Sequence, residues 1–247
     1  MSVPTRASRS AVRAIWLGRI RYDEALALQT EAARRLAAGG EETFFLLEHE
    51  PVFTLGRNAS SSDILFTPDR CRELGIEIRH ADRGGKVTYH GPGQLVGYPI
   101  VDLSPDRRDV KRYVTDLEEV LIRTLADFGI AAGRSALPER VTSVWIGNDK
   151  IAAIGVHLSR WIATHGFALN VRDEALSNFL GIVPCGIADG GVTSMENTAG
   201  RRPALIEVVP PLIANFGEVF GREIIVARTL RGDPAGGDAS DLEWKAQ

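Results

Sequence analysis

Apolar residues recur at the spacing of an α-helix in three long stretches of the chain. These stretches cover residues 23–38, 107–128 and 206–220. Asp23 is a candidate N-cap for the first, and Gly39-Gly40 follows its last apolar position. In the third stretch Pro210-Pro211 leaves the first turn open, because proline lacks the backbone N–H that a helix interior needs. The pattern therefore predicts three helices, of which the last has an uncertain start.

Shorter apolar runs predict seven β-strands. They cover residues 43–48, 52–55, 95–101, 141–146, 151–157, 162–171 and 223–227. Gly147-Asn148-Asp149 joins two of them and is typical of a β-hairpin turn. The strands come in runs and do not alternate strictly with helices. This order predicts an α+β fold, in which helices pack on a mixed, largely antiparallel sheet.

The chain of 247 residues divides into one folded unit and two ends. Residues 1–12 are rich in Ser and Arg, and we expect a loose N-terminal segment there. Residues 231–247 are rich in Gly, Asp and Ala, and we expect a disordered tail. Between the two ends no Pro/Ser linker interrupts the pattern, so residues 13–230 are expected to form a single catalytic domain.

Composition excludes several classes of protein. The formal net charge of -3 is not that of a nucleic-acid-binding protein. With only two cysteines the chain holds neither a disulfide framework nor a four-cysteine metal site. No apolar run reaches the roughly 18 residues of a membrane span, and the N-terminus lacks the apolar region of a secretory signal. We therefore expect a cytoplasmic protein without a membrane or nucleic-acid partner.

A glycine-rich motif, RGGKVTYHGPGQ, runs from Arg83 to Gln94. Glycine allows backbone N–H groups to approach a ligand closely, but a cluster of Gly and Pro is more often only a turn. The Arg, Lys, Thr, Tyr and His side chains within the motif favour a ligand-binding loop, since a turn needs none of them. The spacing matches neither a Walker A loop nor a dinucleotide-binding loop, so it does not predict a nucleotide phosphate site.

The two cysteines differ in their surroundings. Cys71 stands before Arg72-Glu73-Leu74 and is typical of a small buried apolar residue. Cys185 lies between Pro184 and Gly186, on a bend, where a sulfur can be exposed and act as a nucleophile.

Three further segments carry polar residues beside predicted strands. Lys150 follows the hairpin turn, where an arbitrary lysine would usually be a solvated one. Gly166 stands inside a predicted strand and marks either a bulge or a close approach of the backbone to a ligand. His49 lies between two glutamates, but no second His or Cys stands at ligand spacing, so we predict no metal site.

Taken together, these segments resemble the octanoyltransferases of lipoate synthesis, the lipoyl(octanoyl) transferase or lipoate–protein ligase B family. The family pattern R-G-G-x-x-T-Y-H-G-P-G-Q is similar to Arg83 to Gln94, and a Y-P pair follows at Tyr98-Pro99. Further family patterns are matched, in the family's order, at residues 48–56, 150–155, 165–170 and 184–186. The resemblance implies the fold of the biotin and lipoate ligase catalytic domains and covers nearly all of residues 13–230.

The resemblance also implies an activity and its partners. Octanoyl would pass from octanoyl-acyl carrier protein to a lysine of lipoyl domains, without a cofactor, as the first step of endogenous protein lipoylation. The acceptors would be the lipoyl domains of 2-oxoacid dehydrogenase complexes and the glycine cleavage H protein. By matched position, Cys185 would carry the acyl group as a thioester and Lys150 would activate that cysteine. The residues that would bind the acyl substrate are Arg83, Gly84, Gly85, Lys86, Val87, Thr88, Tyr89, His90, Ala153, Ile154, Gly155, Gly166, Phe167 and Ala168.

This chemistry leaves alternatives open. A thiolate, a basic group and oxyanion donors suffice to move an acyl group from a thioester to an amine. Glycines 84, 85, 155 and 166 would leave room for the acyl chain against backbone. Histidines 90, 157 and 165 are rival bases to Lys150, and His90 is the strongest because it lies in the glycine-rich motif. An ATP-dependent lipoate or biotin ligase and a non-catalytic carrier-binding module remain as alternative functions.

Overall fold

A seven-stranded mixed sheet forms the centre of the protein. The structure is a computed structural model and describes residues 11–135, 143–183 and 191–227. Its strands are β1 (Ala11–Ile20), β2 (Glu42–His49), β3 (Val52–Leu55), β4 (Glu77–His80), β5 (Val87–His90), β6 (Gln94–Ile100), β7 (Ser143–Ile146), β8 (Asp149–Ser159), β9 (Ile162–Asn170) and β10 (Glu223–Ala227). The order in the large sheet is β10-β1-β2-β6-β9-β8-β7. Strands β10, β1 and β2 are parallel and the remaining neighbours are antiparallel, which confirms the predicted mixed, largely antiparallel sheet.

A second sheet of three short strands lies in the order β4-β3-β5. Strand β5 is Val87–His90, so the middle of the glycine-rich motif is a strand paired with β3 and not a continuous loop. The sequence pattern missed β5 because the strand is only four residues long and lies between Gly85 and Gly91. A backbone hydrogen bond of 3.0 Å from Gly84 N to Val156 O joins the motif to β8 of the large sheet.

Helices cover both faces of the large sheet. They are α1 (Tyr22–Ala37), α2 (Pro68–Glu73), α3 (Val110–Asp127), α4 (Met195–Ala199) and α5 (Leu205–Phe220). Helices α3 and α5 pack on one face with the main apolar core, where Leu117, Leu121 and Phe216 are fully buried. Helix α1 packs on the other face, against β6 and β9. No helix within the described ranges is long and apolar enough to cross a membrane.

The predicted helices are present, with two corrections. Arg21 and not Asp23 is the N-cap of α1; the carboxylate of Asp23 accepts a hydrogen bond from Arg79 Nε at 2.9 Å. Helix α5 continues through Pro210-Pro211, although each proline removes one helical hydrogen bond. Its apolar side chains are buried in the main core, and that packing holds the helix through the prolines.

The predicted N-terminal boundary needs a correction. Strand β1 begins at Ala11, and Val12 is fully buried between β2 and β10, so these two residues are not part of a loose segment. Pairing with distant strands orders them, which a local pattern does not reveal. The rest of the expected loose segment and the expected tail lie outside the described residues and stay predictions.

Candidate functional site

A cavity of about 200 Å³ opens between the glycine-rich motif and strands β8 and β9. Thirteen of the fourteen expected substrate-binding residues line it, and Lys150 lines it as well. Segments that are far apart in sequence thus meet at one place. The cavity wall also contains residues that the sequence analysis did not assign to the substrate site: Tyr22, Gln94, Tyr98, Ser143, Ala152, His165, Asn170, Phe179 and Val192.

Tyr89 is the expected substrate-binding residue that does not line the cavity. Successive side chains of a strand point to opposite faces, and Thr88 and His90, the neighbours of Tyr89, both line the cavity, while Val87 lines it from the first position of β5. The ring of Tyr89 therefore packs on the other face, 5.8 Å from the rings of both Phe53 and Phe179. The sequence motif alone did not show that Tyr89 lies outside the cavity wall.

Arg83 lines the cavity but uses its guanidinium on the protein itself. The Nη2 atom donates to the backbone oxygen of Thr54 at 2.9 Å and to its Oγ1 at 2.7 Å. The Nη1 atom donates to the carbonyl oxygens of Gly84 and Lys86 at 3.0 and 3.1 Å. The buried guanidinium thus holds residues 83–86 in shape beside β3.

The four glycines expected to leave room for a substrate have different roles. Gly85 has φ +86°, a conformation that only glycine adopts without strain, and a Cβ on Gly84 would meet only Val156 O, at 3.6 Å. A Cβ on Gly166 would instead collide with strand β6, 2.7 Å from Pro99 Cδ. A Cβ on Gly155 would press on Arg83 and Gly84. Packing within the protein therefore requires a small residue at Gly155 and Gly166, and both also line the cavity.

Lys150 is the second residue of β8 and is half-buried at the cavity wall. Its backbone N–H donates to Gly191 O, and its carbonyl accepts from Thr193 N, both at 2.9 Å. Its Nζ atom lies 5.1 Å from the centre of the Trp145 ring. The lysine that follows the hairpin turn is thus held between β7 and residues 191–193.

The two cysteines are not equally described. Cys185 lies outside the described residues. Cys71 is buried, as predicted, and burial raises the pKa of its thiol. A buried thiol that stays protonated is a poor nucleophile.

His90 is a neutral, fixed imidazole in the cavity wall. Its Nδ1–H donates to Gln94 Oε1 at 2.7 Å, and Gln94 Nε2 in turn donates to Asn170 Oδ1 at 2.9 Å. Asn170 Nδ2 donates to the carbonyl of Thr193 at 3.0 Å. Burial, followed by the influence of His49 and Arg83, holds the pKa of His90 well below its ordinary value. In this tautomer the Nε2 atom of His90 is only an acceptor.

His49 lies behind the cavity wall and uses both ring nitrogens. Its Nδ1–H donates to Ile20 O at 3.2 Å, and its Nε2 accepts the hydroxyl proton of Tyr98 at 2.8 Å. Burial lowers the pKa of His49 to about 4. This arrangement explains a histidine between two glutamates without a metal ion.

His165, another rival base, is already bound to a carboxylate. Its Nε2–H donates to Asp82 Oδ1 at 2.6 Å, and its backbone N–H donates to Gln29 Oε1 at 2.7 Å. The residue has φ +57°, so its N–H points to helix α1 instead of along the sheet. Burial lowers the pKa of His165, although the Asp82 carboxylate raises it. His157 lies at the edge of the same group, with its Nε2 3.7 Å from Asp82 Oδ2.

Comparison with known proteins places these features in a family. The sequence model of the lipoyl protein ligase A/B catalytic domain family matches residues 21–217. An octanoyltransferase from Caldicellulosiruptor bescii is 45% identical over 86% of this chain and 93% of its own. An octanoyltransferase from Solibacter usitatus is 49% identical over 87% of this chain and 95% of its own.

Solved structures share the fold at low sequence identity. The bi-partite lipoate protein ligase from Thermoplasma acidophilum has a TM-score of 0.70 at 16% identity, over 88% of this chain and 87% of its own. The biotin protein ligase from Aquifex aeolicus has a TM-score of 0.51 at 14% identity, over 85% of this chain and 70% of its own. The expected fold of the lipoate and biotin ligase catalytic domains is confirmed. The chain therefore belongs to the lipoyl protein ligase A/B catalytic domain family and, within it, to the octanoyltransferases, which are acyltransferases.

Proposed function

We propose that this acyltransferase moves octanoyl from octanoyl-acyl carrier protein to a lysine of lipoyl domains, through a thioester on Cys185. The observation that supports it best is the meeting, in one cavity, of the three expected substrate segments with Lys150. The wall also includes apolar residues such as Val87, Ile154 and Phe167. Burial contributes about 0.8 kcal/mol per methylene, so an octanoyl chain gains roughly 5 kcal/mol there.

The proposed reaction has two halves. In the first, the Cys185 thiolate attacks the thioester of the donor, and the carrier thiol leaves. In the second, the amine of the acceptor lysine attacks the Cys185 thioester; an amide forms, and the thiol of Cys185 is released. Each half passes through an oxyanion that hydrogen-bond donors stabilise.

We assign Lys150 to the activation of Cys185. The residues that follow the cysteine segment, 191–193, are hydrogen-bonded to the backbone of Lys150, which supports this assignment. An ammonium beside a thiol stabilises the thiolate, and a desolvated lysine can also accept the thiol proton. The state of the rival bases also favours Lys150. The pKa values of His90 and His165 are lowered, which makes both imidazoles weaker bases. This reaction would then be the first step of endogenous protein lipoylation.

Transfer without ATP tests the proposed function. The protein is mixed with octanoyl-acyl carrier protein and an unmodified lipoyl domain, and the mass of the intact domain is measured by mass spectrometry. We expect one octanoyl group per domain in the absence of ATP. The ATP-dependent ligase shares the fold, and it requires free octanoate and ATP instead. Octanoylation only under those conditions would contradict the proposal, and a carrier-binding module would modify nothing under either.

A further inference from the structure

The hydroxyl of Tyr22 is a buried hydrogen-bond donor without an acceptor in the described part of the chain. The side chain is only 2% exposed, at the start of helix α1, and it lines the cavity. Its ring lies 5.4 Å from that of His49, whose ring is 5.7 Å from that of His90. A buried polar group without a partner costs folding free energy, so its presence at a cavity indicates a partner that arrives later.

The other phenol and imidazole side chains of the cavity wall already donate their O–H or N–H protons to protein acceptors. Tyr98 donates its hydroxyl proton to His49, His90 donates its Nδ1–H to Gln94, and His165 donates its Nε2–H to Asp82. Among the phenols and imidazoles of the described wall, Tyr22 is therefore the one whose proton is still available. Burial raises the pKa of Tyr22 to about 12, so the phenol keeps its proton at neutral pH.

An octanoyl group offers few acceptors to such a donor. The chain is saturated, sulfur is a weak acceptor, and the carbonyl oxygen is the single oxygen of the acyl group. We infer that Tyr22 is a substrate-binding residue, whose hydroxyl donates a hydrogen bond to the carbonyl oxygen of the octanoyl thioester. This inference rests on the proposed function, because it takes the octanoyl group as the occupant of the cavity.

A cycle of protein and ligand changes isolates this hydrogen bond. Cys185→Ala protein is used so that the ligand is not consumed, with and without Tyr22→Phe. The ligands are S-octanoyl-N-acetylcysteamine and S-octyl-N-acetylcysteamine, which differ only in the carbonyl group. We expect Tyr22→Phe to weaken binding of the thioester about tenfold and of the thioether less than about twofold, measured by calorimetry.

Tyr113→Phe is the matched control. Tyr113 also carries a buried hydroxyl without an acceptor in the described structure, but it lies in the main core, away from the cavity. Its loss should leave the affinity for both ligands unchanged. Neither variant should be less stable than its parent in urea, because each removes a polar group that has no partner.

Three results would overturn the inference. Equal weakening of both ligands by Tyr22→Phe would show that the ring and not the hydrogen bond is affected, and unchanged affinity for the thioester would show that no bond exists. A large loss of stability in Tyr22→Phe alone would assign the hydroxyl a structural role. Failure of the Cys185→Ala protein itself to bind either ligand would instead refute octanoyl as the occupant, and the proposed function with it.

Discussion

Replacement of Arg83 by methionine removes a guanidinium but keeps much of the apolar stem. Four hydrogen bonds are lost, two to the fully buried Thr54 and two to the carbonyls of Gly84 and Lys86. The carbonyl of Lys86 keeps a second donor, because Gly56 N–H also donates to it at 3.1 Å. The hydroxyl of Thr54 is fully buried, so water cannot replace the guanidinium there, and a buried polar group left without its partner costs about 1–3 kcal/mol.

We therefore expect Arg83→Met to lower the free energy of unfolding by roughly 3 kcal/mol. Urea denaturation at pH 7 measures it. Arg57→Met is the matched control, because Arg57 is exposed and forms no ion pair with the described residues; its effect should stay within about 0.5 kcal/mol. The expected role of Arg83 in substrate binding would then act through the shape of residues 83–86. If Arg83→Met is as stable as the parent yet no longer binds octanoyl thioester, the guanidinium binds substrate directly and our reasoning is wrong.

Three other predictions concern the cavity and its surroundings. Lys150→Met should slow acyl transfer about 10²–10⁴-fold and reduce iodoacetamide alkylation of Cys185 at neutral pH; an unchanged rate would make Lys150 a solvated residue. Gly84→Ala should fold normally and bind octanoyl thioester more weakly; full affinity would show that Gly84 is not part of the substrate site. Gly85→Ala should instead lower the free energy of unfolding by about 1–2 kcal/mol, because residue 85 has a positive φ. Between pH 6.5 and about 4, an unfolded chain binds a proton that native His49 does not, so unfolding free energy should fall by roughly 3 kcal/mol as pH drops, and His49→Gln should lack this component in pH-dependent denaturation.

Hydrophobic periodicity was enough to predict the elements that pack locally. The buried face of α3 repeats at helical spacing, and the runs in β2, β8 and β9 are long enough to be strands. Strands β1 and β5 were missed for a different reason. Val12 is ordered by strands far away in the chain, and β5 is four residues long inside a glycine-rich motif.

The sequence predicted which segments form the candidate site, but not which way their side chains point. The resemblance brought residues 83–90, 150–155 and 166–168 together, and the cavity joins them. It did not reveal that Tyr89 faces away from the cavity or that Gly166 makes room for Pro99. Such directions depend on strand pairing and on close contacts between distant residues.

Tyr22 gave no signal in the sequence. It stands directly before the helix that the sequence pattern predicts over residues 23–38, and nothing local distinguishes it from the other aromatic residues. Its significance comes from the ring of His49 on β2, 5.4 Å from its own, and from the acceptor that its hydroxyl lacks in the described structure. Only a three-dimensional account of donors and acceptors identifies such a residue.

The covalent intermediate is the centre of this account, and the mass of the intact protein tests it most directly. The protein is incubated with octanoyl-acyl carrier protein alone, without an acceptor, and then weighed beside its Cys185→Ala and Cys71→Ala variants. We predict that the parent protein and Cys71→Ala each gain one octanoyl group, whereas Cys185→Ala gains none. An adduct that persists in Cys185→Ala, or that disappears in Cys71→Ala, would contradict the account.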